Sequence, residues 1–305
     1  MDINKHIFSV IIPHHNIPGL LQRCLDSIPD MPEVQTIVVD DNSSPDKVDF
    51  TRFPGIERKN TIVFLDKEGG GAGHARNIGL RHADGQWLVF ADADDFFTKD
   101  AFSILEKHKD DPQDIILFKT NSVDSDDLSP SDRFQDVNLA IDHTRSGIIS
   151  AKEAILKRPG PVSKMFRRSH IQQEDIWFDE TKVANDMMFV TKATCLTKDE
   201  AVIVSDEVLY TVTTRRGSLI DGRLKDPNNF LCRLEVQIRQ NKYLKAYPQF
   251  RKDPIILELL IARQFGAKTI LRAMALILKR GAVFSGFRTV IKIIKSHITG
   301  KKLIY

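Results

Sequence analysis

Cysteine is scarce in this chain of 305 residues: Cys24, Cys195 and Cys232 stand alone and far apart. That spacing makes neither a disulfide framework nor a zinc site, and it favours a reducing compartment. Only two tryptophans occur, and no window of about 18 uncharged apolar residues exists, so no membrane-crossing helix is expected. The opening Met1-Asp2-Ile3-Asn4-Lys5-His6 lacks a basic region followed by an apolar core, so no signal peptide is expected. Two nucleotide-binding signatures are incomplete as well. Gly69-Gly70-Gly71-Ala72-Gly73-His74 and Gly71-Ala72-Gly73-His74-Ala75-Arg76 both miss the last position of the dinucleotide fingerprint, and there is no Gly-Lys-Ser/Thr to make a P-loop. Internal repeats and low-complexity segments are absent too.

What remains is an ordinary globular composition, 42% hydrophobic and 28% charged, long enough for one large domain with an appendage. The net charge of +3 hides an asymmetry. From Arg251 to Tyr305, 12 Lys or Arg face two acids, Asp253 and Glu258, a balance of +10 that leaves −7 (3 − 10) for the preceding 250 residues. A basic tail on an acidic body points to an anionic partner surface, membrane or nucleic acid.

Phe8 to Pro13 reads as a buried strand stopped by proline, followed by a helical stripe over Leu20, Leu21, Cys24, Leu25 and Ile28. Thr36–Val39 and Thr61–Leu65 are two further buried strands. A helix over Ala75–Ala83 stops at Asp84-Gly85, and Trp87–Ala91 is the fourth strand. Next come a helix near Phe102-Leu105, a strand at Ile115–Phe118, and an acidic, Ser-rich surface excursion from Asp124 to Asp136. A helix near Ala151–Lys157, another over Asp186–Ala193, and strands over Val202–Val204 and Val208–Val212 extend the same domain. After Pro227 the pattern is helical, with stops near Pro248, Pro254 and Gly281. Short apolar runs alternating with helices predict an α/β fold, a mostly parallel sheet covered on both faces.

Trp87–Ala91 ends in Asp92-Ala93-Asp94-Asp95, three carboxylates within four positions. A strand end is where an α/β sheet offers groups to a ligand crevice, and alternation would set Asp92 and Asp94 on one side if the strand persisted. Carboxylates so close repel, and need a cation, a hydrogen-bonding ligand or bulk water. Mg²⁺ or Mn²⁺ beside substrate phosphates meets that need. The competing reading is an acidic turn in which Asp94 or Asp95 caps a helix from Phe97 to His108. Asp40-Asp41-Asn42 ends strand two, where a carboxylate suits a nucleobase imide or ribose hydroxyls, although Asp-Asn-Ser-Ser is also strong turn chemistry. The glycine-rich run gives flexible backbone before a helix N-terminus, and Arg76 one turn inside suits a diphosphate; a plain loop with a surface arginine is the other reading. Asp186, before Met187-Met188-Phe189-Val190, is a helix cap or a functional acid. Arg215-Arg216-Gly217 is a solvated basic turn or an anion clamp. His14-His15 with His74 and His82 make a poor zinc set, because adjacent histidines point apart in extended chain.

Taken in order, these residues resemble the family 2 glycosyltransferases and their GT-A nucleotide-sugar-binding fold, from Phe8 to about Leu219. Ser9–Pro13 followed by Asn16 resembles the opening strand, with His14-His15 in place of the usual Val-Tyr. Ile37–Ser43 is similar to the nucleoside strand, with Asp41 at the uracil-contacting acid. Gly73, Ala75–Leu80 and Ala83-Asp84-Gly85 resemble the segment that leads to the metal motif, and Asp92-Ala93-Asp94-Asp95 matches that D-x-D. Val162–Arg168 through Phe178-Asp179-Glu180 resembles the acceptor-side segment of bacterial polysaccharide transferases. Asn185-Asp186-Met187-Met188-Phe189 matches the E-D-x-x-F block, whose Asp is the catalytic base, with Asn185 in place of Glu. Tyr210 through Leu219 resembles the block that closes the domain.

The resemblance implies a GT-A, Rossmann-like domain over residues 1–222 and a basic, amphipathic helical region over 223–305. It implies an inverting, metal-dependent glycosyltransferase that moves a sugar from a nucleoside-diphosphate sugar, UDP foremost, to a hydroxyl of a saccharide acceptor. That acceptor would be lipid-linked, as in capsule, O-antigen or exopolysaccharide assembly. Pro13, Asn16, Asp41, Arg76, Asp92, Ala93 and Asp94 are the implied donor-binding residues, and Asp94 with Asp92 and Asp95 the implied ligands of Mn²⁺ or Mg²⁺. Lys164, Arg215 and Arg216 fall on the acceptor or phosphate side, and Asp186 is the implied base. The mixture of apolar and basic residues from Ile255 to Lys295 suits an anionic bilayer, or else packing on the catalytic domain or on a second copy in a homodimer. The expected location is cytoplasmic, peripheral on the inner face of a bacterial plasma membrane. An acidic body argues against nucleic acid in the main crevice. A catalytically impaired nucleotide-sugar-binding module is the alternative activity.

Overall fold

In the computed structural model, residues 6–215, 226–250 and 252–282 are described. The chain divides into two compact units, Met1–Thr181 with Met188–Arg215, and Lys182–Met187 with Arg216–Tyr305.

The first unit is built on eight strands: β1 (Phe8–His14), β2 (Val34–Asp41), β3 (Thr61–Asp66), β4 (Trp87–Phe90), β5 (Phe96–Phe97), β6 (Ile115–Asp124), β7 (Lys164–Arg167) and β8 (Val202–Thr214). They form one sheet in the order β3-β2-β1-β4-β7-β6-β8-β5. β3, β2, β1 and β4 run parallel, as do β6 and β8, whereas β7 opposes both its neighbours and β5 opposes β8. The helices are α1 (Pro18–Asp26), α2 (Gly71–His82), α3 (Ala101–Lys107), α4 (Gln135–Arg145), α5 (Ala151–Lys157), α6 (Arg168–Gln173) and α7 (Met187–Leu196). The expected α/β fold, a largely parallel sheet flanked by helices, is the one observed.

Strand alternation sorts the apolar side chains into two cores. Val10, Ile12, Val38 and Val89 pack with Leu21, Cys24 and Leu25 of α1. Ile11, Ile37, Val39, Leu88 and Phe90 pack on the opposite face with Ala75 and Leu80 of α2. There Phe90 meets Phe166, Phe178 and Phe189 edge-on, with ring centroids 5.1–5.9 Å apart. α2 lies directly on β1: a Cβ at Gly79 would sit 2.4 Å from Ile11 Cγ2.

Several local expectations are corrected. Pro13 does not end β1, which continues to His14; β4 pairs with β1 only as far as Ile11, so the missing N–H falls beyond that ladder. β3 is an edge strand rather than a buried one, with Ile62 42% and Leu65 44% exposed. α2 begins at Gly71, so the last glycines form its first turn, and Gly71 takes a φ of 86° that glycine alone adopts readily. β5 intervenes before α3, so neither Asp94 nor Asp95 caps a helix. The two strands expected after Val202 are one, and the excursion from Asp124 leads into α4, which the sequence reading omits.

In the second unit, α8 (Pro227–Tyr243), α9 (Glu258–Ala262) and α10 (Ala267–Lys279) surround Phe230, Leu234, Ile238, Ile255, Ala273 and Ile277. The Asp226 side chain accepts the Asn228 N–H and Pro227 opens α8, a standard N-terminal stop. On α10, Ala273 and Ile277 are buried while Leu271 and Leu278 are 65% and 64% exposed. Among the described residues, no helix is long and apolar enough to cross a membrane. The part of the basic tail beyond residue 282 lies outside the described residues.

Candidate active site

β1 and β2 end side by side, with His14 opposite Asp40. His14 Nδ1 lies 2.7 Å from Asp40 Oδ1, while His14 Nε2 accepts the Ile17 N–H at 3.1 Å. Those two partners assign a neutral ring with its proton on Nδ1. Ser43 gives Asp40 both its N–H (3.0 Å) and its hydroxyl (2.5 Å). Burial pushes the Asp40 carboxyl up, but the hydrogen bonds from His14 and Ser43 outweigh it and hold it below the usual carboxylate range. His14, edge-on to Phe53 at 5.3 Å, is therefore a buried brace. His15 reaches the Asp41 carbonyl at 2.7 Å. Asn16, left-handed at φ 59°, gives its N–H to Ser43 Oγ and accepts the Ser44 N–H on Oδ1. Pro13 and Asn16 thus stand at a strand end stitched to the one that carries Asp41. Asp41 Oδ1 in turn accepts the Gly71 N–H at 2.9 Å, tying β2 to the start of α2.

β4 stops at Phe90, and Asp92–Asp95 form a turn closed by the Asp95 N–H on the Asp92 carbonyl (3.0 Å), so alternation no longer sorts the carboxylates. Arg76, buried on α2 with its guanidinium over the Phe178 ring, meets Asp92 Oδ1 at 2.6 Å. Arg215 Nε donates to Asp94 Oδ2 at 3.1 Å. Asp95 is 2% exposed and accepts the Thr213 N–H at 2.7 Å. Burial, then the charges of Asp92 and Asp94, raise its carboxyl well above the usual range, and the Thr213 N–H offsets only part. The turn's backbone is held from β8: Tyr210 Oη accepts the Asp92 N–H at 2.9 Å, and the Thr213 hydroxyl donates to the Asp94 carbonyl at 2.8 Å. From α1, Arg23 donates to the Asp94 carbonyl at 2.7 Å and lies over the Phe96 ring. Ala93, 4% exposed, packs into the core between the acids. Beneath them, burial and the charges of Asp95, Asp92 and Asp94 push the Cys24 thiol far up.

One oxygen from each of the three carboxylates lies within 4.8 Å of the others, against two arginines. Hard oxygens gathered with a surplus of negative charge fit Mg²⁺ or Mn²⁺ sharing its shell with phosphates. Asp94 and Asp92 are the partly exposed members of the cluster, and Asp95 is the buried one.

The structure thus brings Asp92, Ala93, Asp94 and Asp95 together with Arg76 and Arg215, and sets Asp41 at the start of the same helix that carries Arg76. Lys164 is placed differently, buried on β7 with Nζ 2.6 Å from the Gly160 carbonyl. Asp186 stands in the turn before α7, in the segment that groups with the second unit. Arg216 lies outside the described residues. The four histidines do not converge: His74 lies between Asp66 (3.6 Å) and Glu180 (3.2 Å), and His82 tilts on Phe64. The sequence reading misses Arg23 and Thr213, which act on the Asp94 carbonyl from 71 and 119 positions away and leave no local signal.

Known proteins resemble this chain in sequence and in fold. Poly(ribitol-phosphate) beta-N-acetylglucosaminyltransferase TarS of Staphylococcus aureus (strain Mu50) is 27% identical over 265 residues, 83% of this chain and 43% of that protein. The poly(ribitol-phosphate) beta-glucosyltransferase of Bacillus spizizenii is 27% identical over 234 residues, 74% of this chain and 35% of that protein. The chain spans less than half the length of these relatives. Among solved structures, S. aureus TarS 1-349 in complex with UDP-GlcNAc superposes with a TM-score of 0.61 at 21% identity, covering 97% of this chain and 93% of that one. The mannosyltransferase PcManGT of Pyrobaculum calidifontis, in complex with GDP-Man and Mn²⁺, gives 0.52 at 18% identity, covering 95% and 80%. Both likenesses are of fold. The model of Glycosyl transferase family 2 matches residues 9–171, more than half of the chain and every element from β1 through the carboxylate turn to β7, and the chain belongs to that family.

Proposed function

We propose that the chain is an inverting glycosyltransferase that moves a sugar from a UDP-sugar to a hydroxyl of a bacterial cell-surface polymer, of the teichoic acid kind or another lipid-linked saccharide. The observation that carries this reading is the carboxylate turn, three acids gathered at the end of β4 and faced by Arg76 and Arg215. The polymer acceptor is supported by two relatives named as poly(ribitol-phosphate) sugar transferases, and the UDP-sugar donor by the fold neighbour's complex with UDP-GlcNAc.

On this reading the strand-end platform of Pro13, Asn16 and Asp41 holds the base and ribose, and Arg76 with Arg215 faces the diphosphate. Mg²⁺ or Mn²⁺ held by Asp94 with Asp92 would supply positive charge against the departing diphosphate. Asp186 takes the proton of the acceptor hydroxyl as its oxygen bonds to the anomeric carbon. The bond from that carbon to the diphosphate oxygen breaks on the opposite face, and its electron pair leaves with the nucleotide. One displacement inverts the anomeric configuration.

α10 adds a membrane-facing element. It presents Leu271, Met274 and Leu278 to the exterior beside Lys268, Arg272 and Lys279, and bears no acid. This pattern suits the anionic inner leaflet, where a lipid-linked acceptor would be met.

The deciding experiment is a panel of UDP-, GDP- and CDP-sugars, scored for metal-dependent thermal stabilisation and for release of the nucleoside diphosphate. Stabilisation and turnover with a UDP-sugar are expected. Binding without turnover, even with a polymer acceptor present, would make the chain a binding module.

A further inference from the structure

Arg76 and Arg215 each meet a carboxylate of the turn. Arg23, on α1, forms no ion pair among the described residues, yet it is built into the same turn. Its Nη1 donates to the Ser125 carbonyl at 2.9 Å, and its Nη2 to the Ser125 hydroxyl at 3.1 Å and the Asp94 carbonyl at 2.7 Å. The Phe96 ring lies 5.2 Å from the guanidinium carbon. The remaining donor, Nε, is buried without a hydrogen-bond partner. A planar fork suits a carboxylate best. One held on two carbonyls and a hydroxyl, with a buried donor left over, acts on the placement of main chain and not on charge pairing.

Ser125 aims the fork. It is the first residue after β6, and its N–H is bonded to the Thr214 carbonyl at 2.8 Å, so the end of β8 sets its position. Thr214 stands between the two residues that hold Asp94 from that strand. The Thr213 hydroxyl meets the Asp94 carbonyl at 2.8 Å, and Arg215 Nε meets its carboxylate at 3.1 Å. The Asp94 carbonyl thus accepts two bonds, one from α1 and one from β8, which is its full capacity. With that peptide held from two sides, the Asp94 carboxylate keeps only its own side-chain torsions as freedom.

We propose that Arg23 is a positioning residue for sugar transfer: by fixing the Asp94 carbonyl it sets where the Asp94 carboxylate meets the metal and the diphosphate. The proposal rests on the transferase reading and deepens it. The test is the affinity for UDP, with Mn²⁺ and with EDTA, measured by calorimetry on the wild type, Arg23→Met, Asp94→Asn and the double variant. Arg58→Met is the control, because Arg58 also donates to main-chain carbonyls, those of Leu25 (3.0 Å) and Ile28 (2.6 Å), but to none in the turn. Arg23→Met is expected to bind UDP about tenfold more weakly with Mn²⁺ and within about twofold of wild type with EDTA. Arg58→Met should lower the melting temperature yet leave both affinities within about twofold. On top of Asp94→Asn, Arg23→Met should add less than about twofold, since the group through which it acts is gone. An unchanged Mn²⁺ response in Arg23→Met, full additivity with Asp94→Asn, or an equal loss in Arg58→Met overturns the proposal. If circular dichroism shows Arg23→Met unfolded, Arg23→Lys takes its place, keeping the stem and the charge without the planar fork. It too should weaken the Mn²⁺-dependent binding, and wild-type affinity in it overturns the proposal. A wild type that binds no UDP overturns the transferase reading and this proposal with it, whereas the variant results strike Arg23 alone, so the two failures are distinct.

Discussion

Arg76 Nη2 stands 2.6 Å from Asp92 Oδ1 and joins the helix behind the glycine-rich segment to the carboxylate turn. The arginine side chain is 7% exposed and the aspartate 37%, so the pair is only partly desolvated. Arg76→Met leaves Asp92 facing Asp94 and Asp95 with one counter-charge fewer. The expected loss of stability is about 1–3 kcal/mol, below the figure for a fully buried pair. Adding Asp92→Asn should recover at least half of it in urea unfolding; no recovery would mean that Arg76 stabilises by packing on Phe178 instead.

Asp186→Asn tests the base. It keeps the volume and removes the proton acceptor, so transfer should fall about 10²- to 10⁴-fold while the affinity for UDP-sugar stays within about twofold. Near-normal transfer by a folded variant would remove Asp186 from the chemistry.

Asp94 and the metal are tested together. With UDP at about 100 times its Kd and Mn²⁺ or Mg²⁺ present, the melting temperature should rise by roughly 5–10 °C. EDTA should abolish most of the rise, and Asp94→Asn should leave little difference between metal and EDTA. An equal rise with and without EDTA in the wild type would take the metal out of the mechanism.

Asp40 gives the fold an acid-side dependence. Its folded pKa lies below the unfolded value of about 3.9, since the bonds from His14 and Ser43 outweigh burial. The unfolded chain therefore binds the proton more readily, and the stabilisation is full above that value and is lost as pH falls through the folded pKa. Melting curves between pH 6 and 3 should show Asp40→Asn less stable than wild type at pH 6, with the gap narrowing toward pH 3. A constant gap would assign the loss to the altered hydrogen bonds alone.

The exposed face of α10 predicts membrane behaviour. Leu271→Ser with Leu278→Ser removes two leucines worth about 1.5–3 kcal/mol each on full burial. Co-sedimentation with anionic liposomes should drop at least about tenfold, and neutral liposomes should bind neither protein. Unchanged sedimentation would turn attention to a second copy of the chain as the partner of this face.

Much of the frame was legible because β1, β2 and β4 are buried on both sides and so read as unbroken apolar runs. The three carboxylates stood out for the same reason, as polar residues directly after such a run. β5 did not, because two residues carry no period. β8 read as two strands because Ser205-Asp206-Glu207 interrupts its apolar pattern, although the ladder to β6 continues past them. α4 was missed because its buried Val137, Ala140 and Ile141 sit among Asp136, Asn138 and Asp142. Arg23 and Thr213 serve the site through main-chain atoms of distant residues, a relation that only the folded chain brings about.

The dependence of the carboxylate turn on β8 also sets an order in time. Tyr210 and Thr213 lie 118 positions after the residues they hold. At ordinary rates of protein synthesis the acids leave the ribosome roughly 6–24 s before those partners exist. During that interval mutual repulsion opposes closure of the turn, so the nascent first unit carries β2 and α2 before the three acids are held together. The carboxylate turn is therefore held in place only after β8 has been made.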